Sequence, residues 1–249
     1  MSQNGPGFLS DSMRELLSNG VQEVSFERMQ ELNKLMSYYR CAMMEVVTKF
    51  NVLNEQFSLQ FDRNPITGIK SRLKTLPSIL EKLERRGFPF TIGSIEQNLN
   101  DVAGVRVICS FLEDVHMLSE ALMQQDDIQL IERKDYIRNP KPNGYRSLHM
   151  IVSVPIFLAH EKRYMRVEIQ LRTLAMDFWA TLEHQLRYKK GFDLADSMER
   201  ELFTCASLSA ELDERMDGLR RLVQERNGGN GANLPEGSIR WIDQSQNLR

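Results

Sequence analysis

The sequence predicts an α+β or α/β domain built on a mixed β-sheet, with one long helix before it and another after it. Three observations carry this. From Phe26 to about Phe61 apolar residues recur at spacings of three and four, the helical period. Between Ala103 and Leu171 the pattern changes to short β-branched or alternating runs separated by helical stretches and turns. Past Leu174 the helical period returns.

Taken in order, residues 1–25 are polar and contain Gly5, Pro6, Gly7 and Gly20, which predicts a flexible N-terminal arm. The 26–61 stretch is one long amphipathic helix or two. Arg63-Asn64-Pro65-Ile66-Thr67-Gly68 is a breaker cluster, followed by a basic extended stretch. Thr75 two residues before Pro77, and Gly87 after Arg86, are the start and stop of a short helix. Ala103–Phe111 reads as a core strand, Val115–Gln124 as a helix and Ile128–Tyr136 as a second strand. Lys141-Pro142-Asn143-Gly144 is a turn, followed by strands at Leu148–Pro155 and Met165–Leu171 and a helix at Leu174–Arg187. Residues 26–190 thus form the domain. A helix over 191–226 carries Met198, Leu202, Cys205, Ser209, Leu212, Met216, Leu219 and Val223 at alternate spacings of four and three, a heptad seam with one polar slot. That seam suits either a subunit contact or packing on the 26–61 helix. Residues 227–249 read as a flexible tail.

Composition narrows the function. The chain has 249 residues, 32 Lys+Arg against 34 Asp+Glu, and 41% hydrophobic residues, enough for a core but with no basic excess for a duplex nucleic acid. No apolar run is long enough to span a bilayer and the start lacks a secretory pattern, so the expected location is the cytoplasm. Three widely spaced cysteines, Cys41, Cys109 and Cys205, argue against a disulfide framework and a Cys-based zinc site. The common nucleotide and hydrolase signatures, GxxxxGK[ST], GxGxxG after a strand, HExxH and GxSxG, are absent.

Four clusters carry chemistry. Lys70, Arg72 and Lys74 precede a helix on which Lys82, Arg85 and Arg86 can share a face, a set able to clamp a triphosphate or to form a solvated surface with Glu81 and Glu84. Asp101-Val102-Ala103-Gly104-Val105-Arg106 places an acid, a glycine and an arginine at a strand edge, as a metal and phosphate site would need. In Val167–Thr173 the period of two sets Glu168, Gln170 and Arg172 opposite Val167, Ile169 and Leu171, so a carboxylate on a rigid strand faces solvent or a cleft. Lys141 to His149 is a tight turn presenting Tyr145 between basic side chains, which suits base stacking as well as plain packing.

The ordered motifs Arg72-x-Lys74, Ser78–Lys82, Asp101–Arg106, Gly144–His149 and Glu168–His184 resemble the synthetase domain of the RelA/SpoT homologues, and more narrowly the small alarmone synthetases. The resemblance covers about residues 26–225. It implies a nucleotidyltransferase-like α+β fold and transfer of pyrophosphate from ATP to the 3′-hydroxyl of GTP or GDP, giving AMP and pppGpp or ppGpp. By matching positions it implies Arg72 and Arg106 around adenine, and Lys74, Lys82 and Arg85 on the ATP phosphates. Asp101 and Glu168 would bind Mg²⁺, with Glu168 also the base. Tyr145 would stack on guanine, Lys134, Lys141 and His149 would hold the GTP phosphates, and Gln170 would lie along the acceptor. Asp177 stands where part of the family has asparagine and is a further guanine-site candidate. Gly68 to Ser71 do not match the Phe-x-Thr-Gly segment through which one subclass responds to its product, so strong activation by that route is not expected. The resemblance also implies a homotetramer, no membrane or nucleic-acid partner, and synthesis without hydrolysis, since the hydrolase region of the long homologues does not fit in 249 residues. A toxic relative acting on tRNA ends or adenine nucleotides is the alternative within the same chemistry. A silent nucleotide- or RNA-binding regulator is the alternative outside it.

Overall fold

Helix α1, Phe26–Phe61, is a single 36-residue element, and its buried residues show why it does not break. Leu32, Leu35, Tyr39, Ala42, Val46, Phe50, Leu53 and Phe57 fall on one stripe at steps of three and four and are all buried. The computed structural model describes residues 26–61, 63–188 and 196–229. The predicted arm over 1–25 and the tail from 230 onward lie outside them.

After α1 come strand β1 (Ile66–Leu73), helix α2 (Leu76–Arg85), helix α3 (Ile92–Asn98) and strand β2 (Ala103–Cys109). Helix α4 (Leu112–Met123) and strands β3 (Gln129–Asp135), β4 (Leu148–Phe157) and β5 (Lys162–Thr173) follow, then helices α5 (Leu174–Tyr188) and α6 (Asp196–Gly229). The five strands form one sheet in the order β1-β2-β5-β4-β3. Only β2 and β5 pair in parallel; the other three pairings are antiparallel. This mixed sheet flanked by helices is an α+β fold.

One sheet face is the core. Val105, Val107, Leu148, Met150, Val152, Val167, Ile169 and Leu171 are buried there beneath α1 and α4, which supplies Val115, Leu118 and Leu122. Each of these strand residues alternates with a less buried neighbour, the mark of a sheet whose other face is polar.

Three expectations need correction. The breaker cluster does not delay the first strand: β1 starts inside it, because Ile66 is buried and its amide donates to Asn54 Oδ1 at 3.0 Å on α1. Helix α3 has no counterpart in the sequence pattern, because it is only seven residues long; the Thr91 hydroxyl accepts the Ser94 amide as its cap. Helix α6 packs on α5 and α4 rather than along α1, leaves Met198, Leu212, Met216, Leu219 and Val223 of its heptad seam exposed, and runs past Arg226 into the predicted tail. Seam periodicity identifies a face, not what covers it.

Phe50 has no exposed surface and sits at the centre of the α1 stripe. Phe50→Ala is expected to cost about 3–5 kcal/mol of unfolding free energy, read from urea denaturation against the unmodified chain.

Candidate functional site

Strand register assembles the polar face. Lys70 lies opposite Arg106, Arg106 opposite Gln170, Gln170 opposite His149, and His149 opposite Lys134, so one row crosses all five strands. Two residues along, and therefore on the same face, a second row runs Arg72, Gly104, Glu168, Ile151, Glu132. Arg106 and Gln170, far apart in the chain, are brought side by side by strand pairing alone.

At the β1–β2 side, Arg72, Lys74, Lys82, Arg85 and Asp101 line a cleft of about 730 Å³, with His184 at its border. A smaller hollow of about 130 Å³ adjoins it over Gly104, between Arg72, Arg106, Glu168 and Gln170. A Cβ at Gly104 would meet Arg72 Cγ at 3.9 Å and Glu168 Oε2 at 4.0 Å, so the glycine keeps this hollow open. Arg86, read as part of the basic face, turns away and donates to the Asn98 carbonyl at 3.2 Å.

Asp101 Oδ2 accepts from Lys74 Nζ at 2.7 Å and from Lys82 Nζ at 2.6 Å. Burial pushes its carboxyl up, but hydrogen bonds and charge from the two lysines outweigh burial and hold it below the ordinary value. Glu168 moves the other way. Burial pushes it up and the Asp101 charge adds to that, against the Gln170 amide donating to Oε2 at 3.3 Å and the charges of Lys82 and Arg72. Two neighbouring acids with opposed shifts are the pattern of a divided site, one anion and one proton acceptor.

The other end of the face is aromatic and basic. Gly144, at φ +86°, closes the turn by donating to the Lys141 carbonyl at 2.8 Å, and so presents Tyr145. The Tyr145 hydroxyl accepts from Ser147 Oγ at 3.0 Å and Arg172 Nη2 at 2.7 Å, which leaves its own proton for His149 Nε2 at 2.8 Å. His149 therefore carries its proton on Nδ1, 3.9 Å from Glu168 Oε1. Burial first, then the charges of Arg172, Lys141, Lys134 and Arg106, lower the His149 pKa from 6.5 to about 3. Lys141 Nζ sits 5.0 Å from the Tyr145 ring centre and 4.8 Å from that of Tyr136. Lys134 pairs with Glu132 at 2.8 Å on the exposed edge strand.

Asp177, in the first turn of α5, is buried and takes Lys70 at 2.9 Å, Arg106 at 3.2 Å and Arg172 at 3.3 Å. It organises cations between the two ends of the face, and both its oxygens are engaged by them. Arg172 and Tyr136 received no role from sequence. Arg172 had a usable signal, since it shares the period-two face of Glu168 and Gln170; Tyr136 had none, because its edge-to-face contact with His149 at 5.2 Å is purely tertiary.

A divalent cation fits Asp101 and Glu168. Asp101 Oδ1 is buried with no hydrogen-bond partner among the described residues, an acceptor aimed at nothing else present. No group of three or more His, Cys, Asp or Glu side chains able to hold a metal occurs among the described residues, so phosphate oxygens would complete the shell.

A five-stranded mixed sheet with paired acids flanked by cation clusters defines a nucleotide-handling transferase site. Residues 71–193 match the family model described as "Region found in RelA / SpoT proteins". The chain is 40% identical over 195 residues to the GTP pyrophosphokinase YwaC of Bacillus subtilis, covering 78% of this chain and 93% of that protein. It is 36% identical over 187 residues to the GTP pyrophosphokinase YjbM of the same organism, covering 75% of this chain and 87% of that one. Small alarmone synthetase 1 of Bacillus subtilis, bound to its product pppGpp, superposes with a TM-score of 0.71 at 34% identity over 78% of this chain and 99% of that one. The chain belongs to the RelA/SpoT family, among its small alarmone synthetases.

A histidine whose folded pKa lies below its unfolded value of 6.5 withholds stability as protons become available. Unfolding free energy is therefore expected to fall as pH drops below 6.5 toward 3, and His149→Gln should flatten that slope relative to the unmodified chain in parallel denaturant titrations.

Proposed function

We propose that the protein is a GTP pyrophosphokinase. It transfers the β,γ-pyrophosphate of ATP to the ribose 3′-hydroxyl of GTP or GDP, releasing AMP and forming pppGpp or ppGpp. The observation that carries this reading is Glu168, a half-buried carboxylate with raised proton affinity, standing between a lysine-rich cleft that holds Asp101 and an aromatic, basic patch at Tyr145.

ATP occupies the cleft. Arg72 and Arg106 border the small hollow from β1 and β2 and offer guanidinium planes to adenine. Lys74, Lys82 and Arg85 neutralise its phosphates, the two lysines exchanging their Asp101 contact for phosphate oxygens. The acceptor lies toward β4. Tyr145 stacks on guanine, Lys141, Lys134 and His149 face its phosphates, and Gln170 lies between the two nucleotides. His149 enters as a neutral donor through Nδ1–H rather than as a fixed cation. Asp177 acts at one remove, by holding Arg106 and Arg172.

Glu168 accepts the 3′-hydroxyl proton as that oxygen forms its bond to the β-phosphorus. The bond from β-phosphorus to the bridging oxygen breaks, and AMP leaves with that oxygen. Desolvation lifts the Glu168 pKa toward the working pH, where a base both stays ionised and holds the proton it takes. Asp101 and Glu168 would hold Mg²⁺, which supplies charge neutralisation on the transferred group. The same proposal includes a cytoplasmic location, supported by three cysteines that are all free, and a homotetramer, supported by the exposed apolar side of α6. No helix among the described residues is long and apolar enough to cross a membrane.

Glu168→Gln should leave folding and nucleotide binding intact and reduce alarmone formation from labelled ATP and GTP by about a hundredfold or more. Near-normal turnover would remove Glu168 as the base. In solution, the native mass is expected at four chains of 28.9 kDa; a single-chain mass would count against the tetramer.

A further inference from the structure

Helix α6 faces the domain with its least apolar side. Leu208, Leu212, Met216 and Leu219 point outward and are exposed. Among its described side chains the helix buries Ala206, at 5% exposure, and Asp213, at 8%, seven residues apart and therefore on one face. Both touch the Tyr145 end of the site. A Cβ built on Gly144 would lie 2.5 Å from Ala206 Cβ, so α6 lies directly behind the turn that presents Tyr145. Farther along the same face, Asp213 Oδ2 accepts the Thr173 hydroxyl at 2.7 Å, and the oxygen of that hydroxyl accepts the Met176 amide at 3.1 Å.

Thr173 is the joint between β5 and α5. The residue before it is Arg172, which donates to the Tyr145 hydroxyl and to Gln170 Oε1 at 2.8 Å. Four residues beyond it is Asp177, which takes Arg106 and Arg172. A threonine hydroxyl is free to rotate, and the angle at which it caps α5 depends on where its own proton goes. Asp213 fixes that choice. An alanine or leucine at the position would bury at no electrostatic cost, whereas burial pushes the Asp213 carboxyl up against the opposing pull of Thr173 and Arg146. The cost is accounted for if the carboxylate sets the geometry of the joint.

We propose that Asp213 is a positioning residue for the acceptor site, acting through Thr173 to hold the β5–α5 joint and with it the Arg172, Tyr145 and Asp177 constellation. This rests on the reading of the Tyr145 end as the acceptor pocket.

Steady-state kinetics of the full chain, with GTP and ATP varied in turn, tests it. Asp213→Ala is expected to raise the KM for GTP by about fivefold or more, with the KM for ATP changed less than about twofold. Asp213→Asn, which keeps an oxygen for the Thr173 hydroxyl, should stay within about twofold of the unmodified enzyme for both substrates. Thr173→Val, which also removes the Met176 cap, should lose at least as much for GTP, and adding Asp213→Ala to it should cause no further loss, because the contact that Asp213 makes is already gone. If Asp213→Ala does not fold, Thr173→Val carries the test. Equal changes in both KM values, or a lower melting temperature with neither KM changed, would overturn the proposal and leave the functional reading standing. An unmodified enzyme that makes no alarmone would overturn both.

Discussion

The Asp101 charge raises the proton affinity of Glu168, and the polar face of the sheet is organised around keeping both acids there. Asp101 stays ionised because Lys74 and Lys82 converge on one of its oxygens; Glu168 has weaker partners and is pushed toward protonation. Burying either charge alone would be prohibitive, and each cation brought in to compensate needs an anion of its own when no substrate is bound. Asp177 supplies it for Lys70, Arg106 and Arg172. The result is a face whose charges are paired internally.

Such a face is held in place from behind. The apolar side of β2, β4 and β5 is packed beneath α1 and α4, with Val105, Ile169, Leu171 and Met150 fully or almost fully buried, so the strands bearing Arg106, Glu168, Gln170 and His149 have little freedom to shift. The Tyr145 end differs. Tyr145 comes from a turn, and its placement relies on hydrogen bonds to Ser147, His149 and Arg172 and on the close approach of α6 at Gly144. The cleft around Asp101 is thus built mostly on regular elements, and the Tyr145 patch on a turn held by its neighbours.

Local signals carried much of this into the sequence. Glu168, Gln170 and Arg172 share a face because strand side chains alternate, and that could be read without coordinates. The turn at Lys141–Gly144 was legible because glycine takes the positive φ at its end without the strain a side chain would bring. The short helix α3 was not, since seven residues give too little periodicity. The pairing of Arg86 with the Asn98 carbonyl was not either: helical spacing says which residues can share a face, not which way a long side chain turns.

What the sequence by itself determined is the element order, the family, and the residue types at the site, all properties of short, ordered stretches of chain. Tertiary structure decided which of those residues meet. The row from Lys70 to Lys134 exists only because β5 inserts between β2 and β4, an arrangement no local pattern specifies. It also decided proton affinity, lowering the His149 pKa and raising that of Glu168, because burial and the summed charge of surrounding groups set a pKa. And it turned α6 around. Periodicity marks the apolar stripe of a helix, but Ala206 and Asp213 face inward because the turn at Gly144 leaves room only for a small side chain and Thr173 offers a proton to a carboxylate.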